Sequence, residues 1–214
     1  MRLFTYFRSS AAFRARIALN LKGIAYEPAV VDLRPPVAAQ RSPEYLAVNP
    51  QGLIPALQHD GTTVTQSLAI IEYLDELYPQ PPFLPASPAD RAHVRAMALT
   101  VACDIHPLNN SRTLGYLRAP LGLEEDAVNE WYRHWIATGF RSLEEDAKRL
   151  TGDGRHLFGK SVTLADICIV PQMYNARRFQ CDLGPYPTLR AICTHLESLP
   201  AFARAAPEAQ PDAG

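Results

Sequence analysis

Pro79, Pro81, Pro82, Pro85 and Pro88 crowd one short stretch of this chain. Each proline removes a backbone donor and fixes φ, so neither a helix nor a central strand can run through the stretch. The chain therefore divides there, and we read residues 1–80 as a first domain, 81–88 as a linker and 89–214 as a second domain. With 214 residues, 47% of them hydrophobic, both parts have the side chains to enclose a core.

Upstream of the linker, strand and helix signals alternate. Residues 3–7 read as a short strand, and 10–22 as a helix opened by serines suited to N-capping and closed by Gly23. Residues 26–33, rich in Val and stopped by Arg34-Pro35-Pro36, read as a second strand, and 43–47 as a short irregular helix before Asn49-Pro50-Gln51-Gly52. Residues 56–59 and 62–65 flank Asp60-Gly61, a dipeptide that favours a tight hairpin with positive φ at both central positions. A helix over 67–78 follows. The order joins a parallel βαβ unit to an antiparallel hairpin and a last helix, which is the arrangement of the thioredoxin fold.

Downstream, the apolar period is helical throughout. Residues 89–118 carry Val94, Met97, Ala98, Val101 and Ile105 at that period and predict one helix. Residues 124–150 and 164–179 repeat it on either side of Gly152-Asp153-Gly154, and Tyr186-Pro187-Thr188 precedes a helix running to Leu199. The polar, proline-containing tail from Pro207 is expected to fray. The fold class is thus α+β in two domains, thioredoxin-like first and an all-α bundle second.

A balance of 21 basic against 22 acidic residues leaves no field to attract nucleic acid or an anionic membrane. The apolar run at the N-terminus is too short for a signal peptide, and no later stretch approaches 18 uninterrupted apolar residues, so a cytoplasmic location is expected. Cys103, Cys168, Cys181 and Cys193 are scattered without a Cys-x-x-Cys pair, and no metal site or dithiol centre is indicated. Charge recognition, where it occurs, must be local.

Three segments of the first domain offer parts of a site for a small thiol peptide. At the first strand-to-helix corner stands Arg8-Ser9-Ser10, where serines commonly do no more than cap the helix. Leu53-Ile54-Pro55-Ala56 places a proline directly before a strand, suited to a cis bond that leaves the Ile54 backbone free to pair with an extended peptide. Gln66-Ser67 opens a helix whose free N–H groups favour a carboxylate.

Together these segments resemble the zeta class of glutathione transferases, which includes maleylacetoacetate and maleylpyruvate isomerases. The likeness runs nearly end to end. Its strongest parts are Tyr6-Phe7-Arg8-Ser9-Ser10, Arg14-Ala15-Arg16-Ile17-Ala18-Leu19, Asn49-Pro50-Gln51, Gln66-Ser67-Leu68-Ala69-Ile70-Ile71-Glu72-Tyr73-Leu74 and Leu164-Ala165-Asp166 with Val170-Pro171-Gln172. The last region resembles the superfamily's folding signature, in which Thr163 caps a buried helix, Asp166 returns the bond and Val162 and Ile167 form the staple.

The resemblance implies glutathione as cofactor, a dicarboxylate or keto acid as substrate and a homodimer. It implies Ser9, with Ser10 and Arg8 beside it, at the glutathione sulfur; Ile54 at its cysteinyl backbone; Gln66 and Ser67 at its γ-glutamyl carboxylate; and Gln51 and Pro55 as further glutathione contacts. From the second domain it brings His106 and Asn110 toward glutathione, although His106 equally suits a satisfied histidine at a kink before Pro107. Arg8, Arg112 and Arg178 are the expected grips on substrate carboxylate and enolate oxygens, Arg178 being preferred to Arg177. The family usually has a cysteine after the two serines, where this chain has Ala11, so the protein offers no thiol of its own there.

A free thiol near pKa 8.5 is only about 3% thiolate at pH 7, and lowering it by roughly two units takes about 2.7 kcal/mol. A hydrogen bond from Ser9 to the anion, roughly 1.5–3 kcal/mol, with a helix N-terminus worth about 0.3–1, covers that without a metal. The expected activity is cis–trans isomerisation of maleylpyruvate or maleylacetoacetate in aromatic degradation. A general transferase that conjugates or dehalogenates small electrophiles, and a non-catalytic binding module of the same fold, are the other readings.

Overall fold

Strand β1, Arg2–Thr5, is an inner strand of the sheet in the first half of the chain, and Leu3, Phe4 and Thr5 are buried. It pairs in parallel with β2, Glu27–Val30, and antiparallel with β3, Ala56–His59; β4, Thr62–Thr65, completes the sheet in the order β2-β1-β3-β4. Pro28 sits in β2, an edge strand, where a missing N–H is tolerated. This strand is shorter than the 26–33 expected, because the Asp32 carboxylate accepts from the Arg34 N–H and guanidinium and turns the chain before the prolines. The hairpin between β3 and β4 turns on Asp60 and Gly61, with φ of 46° and 77°.

The computed structural model describes residues 1–213 and separates into two compact units. The first is Met1–Pro82 together with the segment from Ser198 onward; the second is Phe83–Glu197. The expected domain limits assigned everything after residue 88 to the helical part, and the last residue of that range, Gly214, lies outside the described residues.

In the first unit, helix α1, Ser10–Leu21, is buried along almost its whole length. It packs on α3, Ser67–Leu77, while α2, Pro43–Val48, lies between β2 and β3 in sequence. A core of Phe4, Tyr6, Ala12, Val31, Tyr45, Ile54 and Ala56 joins sheet to helices. The Lys22 ammonium donates to the Asp75 carboxylate and to the carbonyls of Tyr78 and Pro81, tying the end of α1 to the start of the proline-rich stretch.

In the second unit, the single helix expected over 89–118 is broken. Helix α4, Pro88–Leu99, passes into a π-helical stretch, Thr100–Ile105, in which the His106 N–H reaches back to the Val101 carbonyl. Pro107 then has no N–H to continue the ladder, and α5, Ser111–Arg118, begins anew with Asn110 as its cap. A Cβ on Gly139, in α6 (Glu125–Leu150), would collide with the Ile105 side chain, so glycine permits that stretch to press onto α6. Buried Glu144 of α6 accepts from the N–H groups of Thr188 and Leu189, capping α8, Pro187–Ser198.

Helix α7, Leu164–Arg178, is buried over most of its length and carries the expected capping box. Asp166 accepts from the N–H groups of Leu157 and Thr163 and from the Thr163 hydroxyl. Burial pushes its carboxyl up to about 6, against the pull of those three bonds. No helix among the described residues is long and apolar enough to cross a membrane.

The tail corrects the expectation of fraying. Helix α9, Pro200–Ala203, packs on α1, and a 3-10 turn, Pro207–Ala209, follows with Phe202, Ala205 and Pro207 buried. Its anchor is distant in sequence: the Arg16 Nε donates to the Ala205 carbonyl and the Asn20 amide to that of Ala201.

Candidate active site

The corner between β1 and α1 delivers Ser9 as the N-cap of α1, in extended conformation with φ −70° and ψ 113°. Its Oγ accepts from the Ala12 N–H at 3.2 Å, so the capping role that serines usually play is present. Capping occupies a lone pair and not the hydroxyl proton, so Ser9 remains able to donate outward from a half-exposed position. The first turn of α1 contains no acidic residue, so no carboxylate of the helix itself offsets its positive end. Ser10, next to it, is buried at the first helical position. The exposed Arg8 guanidinium donates to the Tyr6 hydroxyl at 3.2 Å and lies 5.1 Å from the Phe7 ring centre.

A second feature is assembled from separated segments. Gln66 precedes α3 with φ +70°, a conformation that disfavours any residue other than glycine by about 1–3 kcal/mol. Its Nε2 donates to Oε1 of Gln51 at 3.0 Å, so two residues singled out fifteen positions apart meet. Gln51 is held by Asn49, whose Oδ1 accepts the Gln51 N–H while its Nδ2 donates to the Leu53 carbonyl. The first turn of α3 is also free of acidic residues. Ser67, which begins that helix, is buried and accepts from the Arg14 Nη1 at 3.4 Å.

Between these features lies Ile54, joined to Pro55 by a cis peptide bond. The antiparallel register of β1 and β3 starts at Ala56, opposite Phe4, so Ile54 stands outside the strand pairing.

Two residues of this unit carried no assigned role in the sequence reading. Arg14 and Arg16 are 1% and 0% exposed, on the face of α1 that also buries Ala15, Ile17 and Ala18. Arg16 donates to the Thr5 hydroxyl and to the carbonyls of Tyr6, Phe7 and Ala205. The signal was there: two arginines on a helix otherwise built of small and apolar side chains leave little polar face to hold them.

Residues 3–82 match the glutathione S-transferase N-terminal domain family. Over 99% of this chain and 99% of the relative, the sequence is 48% identical to a maleylpyruvate isomerase of a Ralstonia species. A holo structure of a maleylpyruvate isomerase, described as a bacterial glutathione S-transferase of the zeta class, superimposes with a TM-score of 0.97 at 47% identity, covering both chains completely. The chain belongs to the zeta class of glutathione S-transferases. Another member of this similarity group, the maleylacetoacetate isomerase of Methylobacterium extorquens AM1, matches with a TM-score of 0.94 and 42% identity over the whole of both chains, and its structure holds malonate and glutathione.

In the helical unit of this transferase, the residues expected at the site fall on and around the break between α4 and α5. Asn110 caps α5, its side chain accepting from the Arg112 N–H at 3.0 Å. The segment is pinned to α6 on both sides, Trp131 donating to the Leu108 carbonyl and Asn109 to that of Tyr132. His106 is half-buried at the end of the π-helical stretch. The exposed Arg112 guanidinium enters no ion pair among the described residues.

At the C-terminal end of α7 the two neighbouring arginines differ. Arg177 pairs with Glu197 at 2.6 Å, whereas Arg178 lies against the Phe179 ring at 5.0 Å. Phe179 stacks on Tyr132 with ring centres 3.5 Å apart, and burial raises the Tyr132 hydroxyl well above the usual tyrosine range while Arg178 draws it down. Burial likewise pushes the Cys181 thiol up to about 11. That residue is no source of thiolate at neutral pH.

Proposed function

We propose that this chain is a glutathione-dependent cis–trans isomerase acting on maleylpyruvate or maleylacetoacetate in the degradation of aromatic compounds. The observation that carries the reading is the state of Ser9: its oxygen is engaged by the helix cap, and its proton remains available at a helix N-terminus whose first turn has no acidic residue. That is a donor suited to a sulfur anion.

The first unit's residues fit glutathione in kind and number. Ser9, with Ser10 behind it, would face the sulfur. Ile54 and Pro55 would present backbone to the cysteinyl part. Gln51, Gln66 and Ser67 would hold the γ-glutamyl carboxylate at the start of α3, where the positive φ of Gln66 is a local cost that a bound carboxylate would offset. Bound there, glutathione supplies reversible thiolate addition to the cis double bond, which lets the bond rotate before release. The protein's own part is to keep the sulfur deprotonated and to hold the substrate's oxygens.

For the substrate we assign Arg8, Arg112 and Arg178. A planar guanidinium grips a carboxylate through two parallel bonds, and Arg178 is preferred because Glu197 already occupies Arg177. His106 and Asn110 are assigned to glutathione, Asn110 through its free amide since its oxygen caps α5. The relative with malonate and glutathione bound supports a dicarboxylate ligand class. We further assign residues 83–197 to substrate binding, a homodimer as the working form, and the cytoplasm as its place.

The test is the ultraviolet loss of maleylpyruvate with and without glutathione, beside an aryl-halide conjugation. We expect rapid isomerisation only with glutathione. Equal rates without it would overturn the reading, conjugation without isomerisation would favour a general transferase, and neither activity would favour a binding module. Light scattering at a monomer mass would remove the dimer.

A further inference from the structure

The loop that presents Ser9 is held by a part of the chain far away in sequence. Across Thr5–Phe7, Arg16 binds the Thr5 hydroxyl at 3.0 Å, the Tyr6 carbonyl at 3.2 Å and the Phe7 carbonyl at 3.0 Å. Its remaining donor, Nε, binds the Ala205 carbonyl at 3.0 Å, so one guanidinium joins the loop to the tail. The Tyr6 carbonyl also accepts the Ser9 N–H. One more backbone donor, the Phe7 N–H, is taken at 2.9 Å by Oδ2 of Asp212.

These contacts account for the loop's main-chain polar groups from two directions, Arg16 on the carbonyls and Asp212 on the amide. We infer that the segment from Ser198 to Asp212 is a positioning element for the reaction, with Asp212 fixing the register of Phe7 and thereby the direction of the Ser9 hydroxyl. The tail has the means to stay in place: Phe202 and Ala205 are buried, and the Gln210 amide donates to the carbonyls of Arg204 and Ala206. Asp212 also supplies charge. Arg16 is fully enclosed and has no ion-pair partner in contact among the described residues, and burial draws its pKa down to about 10 while Tyr26 and Asp212 pull the other way.

Charge and hydrogen bond make opposite demands on the site. A carboxylate on the loop that presents Ser9 adds negative charge that disfavours a thiolate, whereas a fixed loop favours it by keeping the Ser9 donor aimed. If Asp212 is there to hold the loop, an amide at this position keeps the acceptor and discards the unwelcome charge. An alanine discards both.

The inference rests on the assignment of Ser9, and the experiment separates the two. Full-length Asp212→Asn, Asp212→Ala and Ser9→Ala are compared for turnover, for KM, for the pH titration of the bound glutathione thiolate by its ultraviolet absorbance, and for exchange of the Phe7 amide proton. Asp212→Asn is expected to match the parent. Asp212→Ala is expected to lose about tenfold in turnover, to raise the thiol titration and to expose the Phe7 amide, with substrate KM within about twofold, since misplacement by a fraction of an ångström is costly at the reacting centre. Parent-like turnover and titration in Asp212→Ala would overturn the positioning role, as would an equal loss in both Asp212 variants, which would make charge the operative property. Parent-like behaviour of Ser9→Ala, by contrast, would overturn the Ser9 assignment whatever the tail variants do. Arg16 is left intact because its removal takes a donor from four acceptors inside the first unit and endangers folding.

Discussion

Two of the helices that begin with a hydroxyl cap, α1 and α7, serve different ends. At α7, Thr163 is 4% exposed, and the third residue beyond it, Asp166, is wholly buried and bonded to the Leu157 and Thr163 amides and the Thr163 hydroxyl. At α1, Ser9 is half-exposed, and the corresponding third residue is Ala12, with no carboxylate anywhere in the first turn. A cap with an acid behind it uses up the helix's positive end in holding the fold. A cap with alanine behind it leaves that end available, and the difference lies three residues past the hydroxyl rather than in the hydroxyl itself.

Four predictions test that contrast. The largest effect belongs to the closed terminus: Asp166→Ala strands three donors in the interior and is expected to cost about 3–5 kcal/mol in urea unfolding. A loss below about 1 kcal/mol would erase the distinction between the two caps. Next, Ser9→Ala is expected to lower isomerase turnover at least tenfold while costing only about 1 kcal/mol of stability, the ordinary value of a cap. A large stability loss with unchanged turnover would make Ser9 structural like Thr163.

Ala11→Asp gives α1 the acid it lacks. Stability should rise by about 0.3–1 kcal/mol, the usual helix-dipole gain, while the bound thiol titrates at higher pH and turnover falls several-fold. Unchanged turnover would mean the open end of α1 plays no part. The smallest effects are those of the helical unit: Arg112→Ala and Arg178→Ala should raise substrate KM several-fold with little change in turnover, and Arg177→Ala should change neither.

Much of this was legible from local signals. The Asp60-Gly61 hairpin, the serines before α1, the Thr163–Asp166 spacing and the Gln66-Ser67 helix start each announce themselves within a few residues, because turns and caps are short-range chemistry. A kink before Pro107 was legible from the proline, but the π stretch and the fresh start of α5 were not, since the apolar period runs on through Val101 and Ile105 while the backbone beneath it widens. Arg14 and Arg16 escaped for another reason: arginine on a helix normally marks the solvent side, and the apolar helix around them hints at the reverse without naming the partners that enclose them. Those partners sit 189 positions away at Ala205 for Arg16, and the tail's hold on the Phe7 amide spans 205 positions. Composition made that tail look loose, and no pattern within it names its partner.

Because the thioredoxin-like unit draws on both Met1–Pro82 and the stretch after Ser198, it is interrupted in the chain by the whole helical unit. A ribosome therefore makes the sheet early but cannot finish the unit until the helices have been synthesised and the later stretch has emerged. Until then the nascent polypeptide carries Arg16 without its Ala205 acceptor and a Phe7 amide awaiting Asp212. Competence for chemistry should thus arise abruptly during translation, once the stretch from Ser198 has emerged, rather than with the earlier segment that bears the serine.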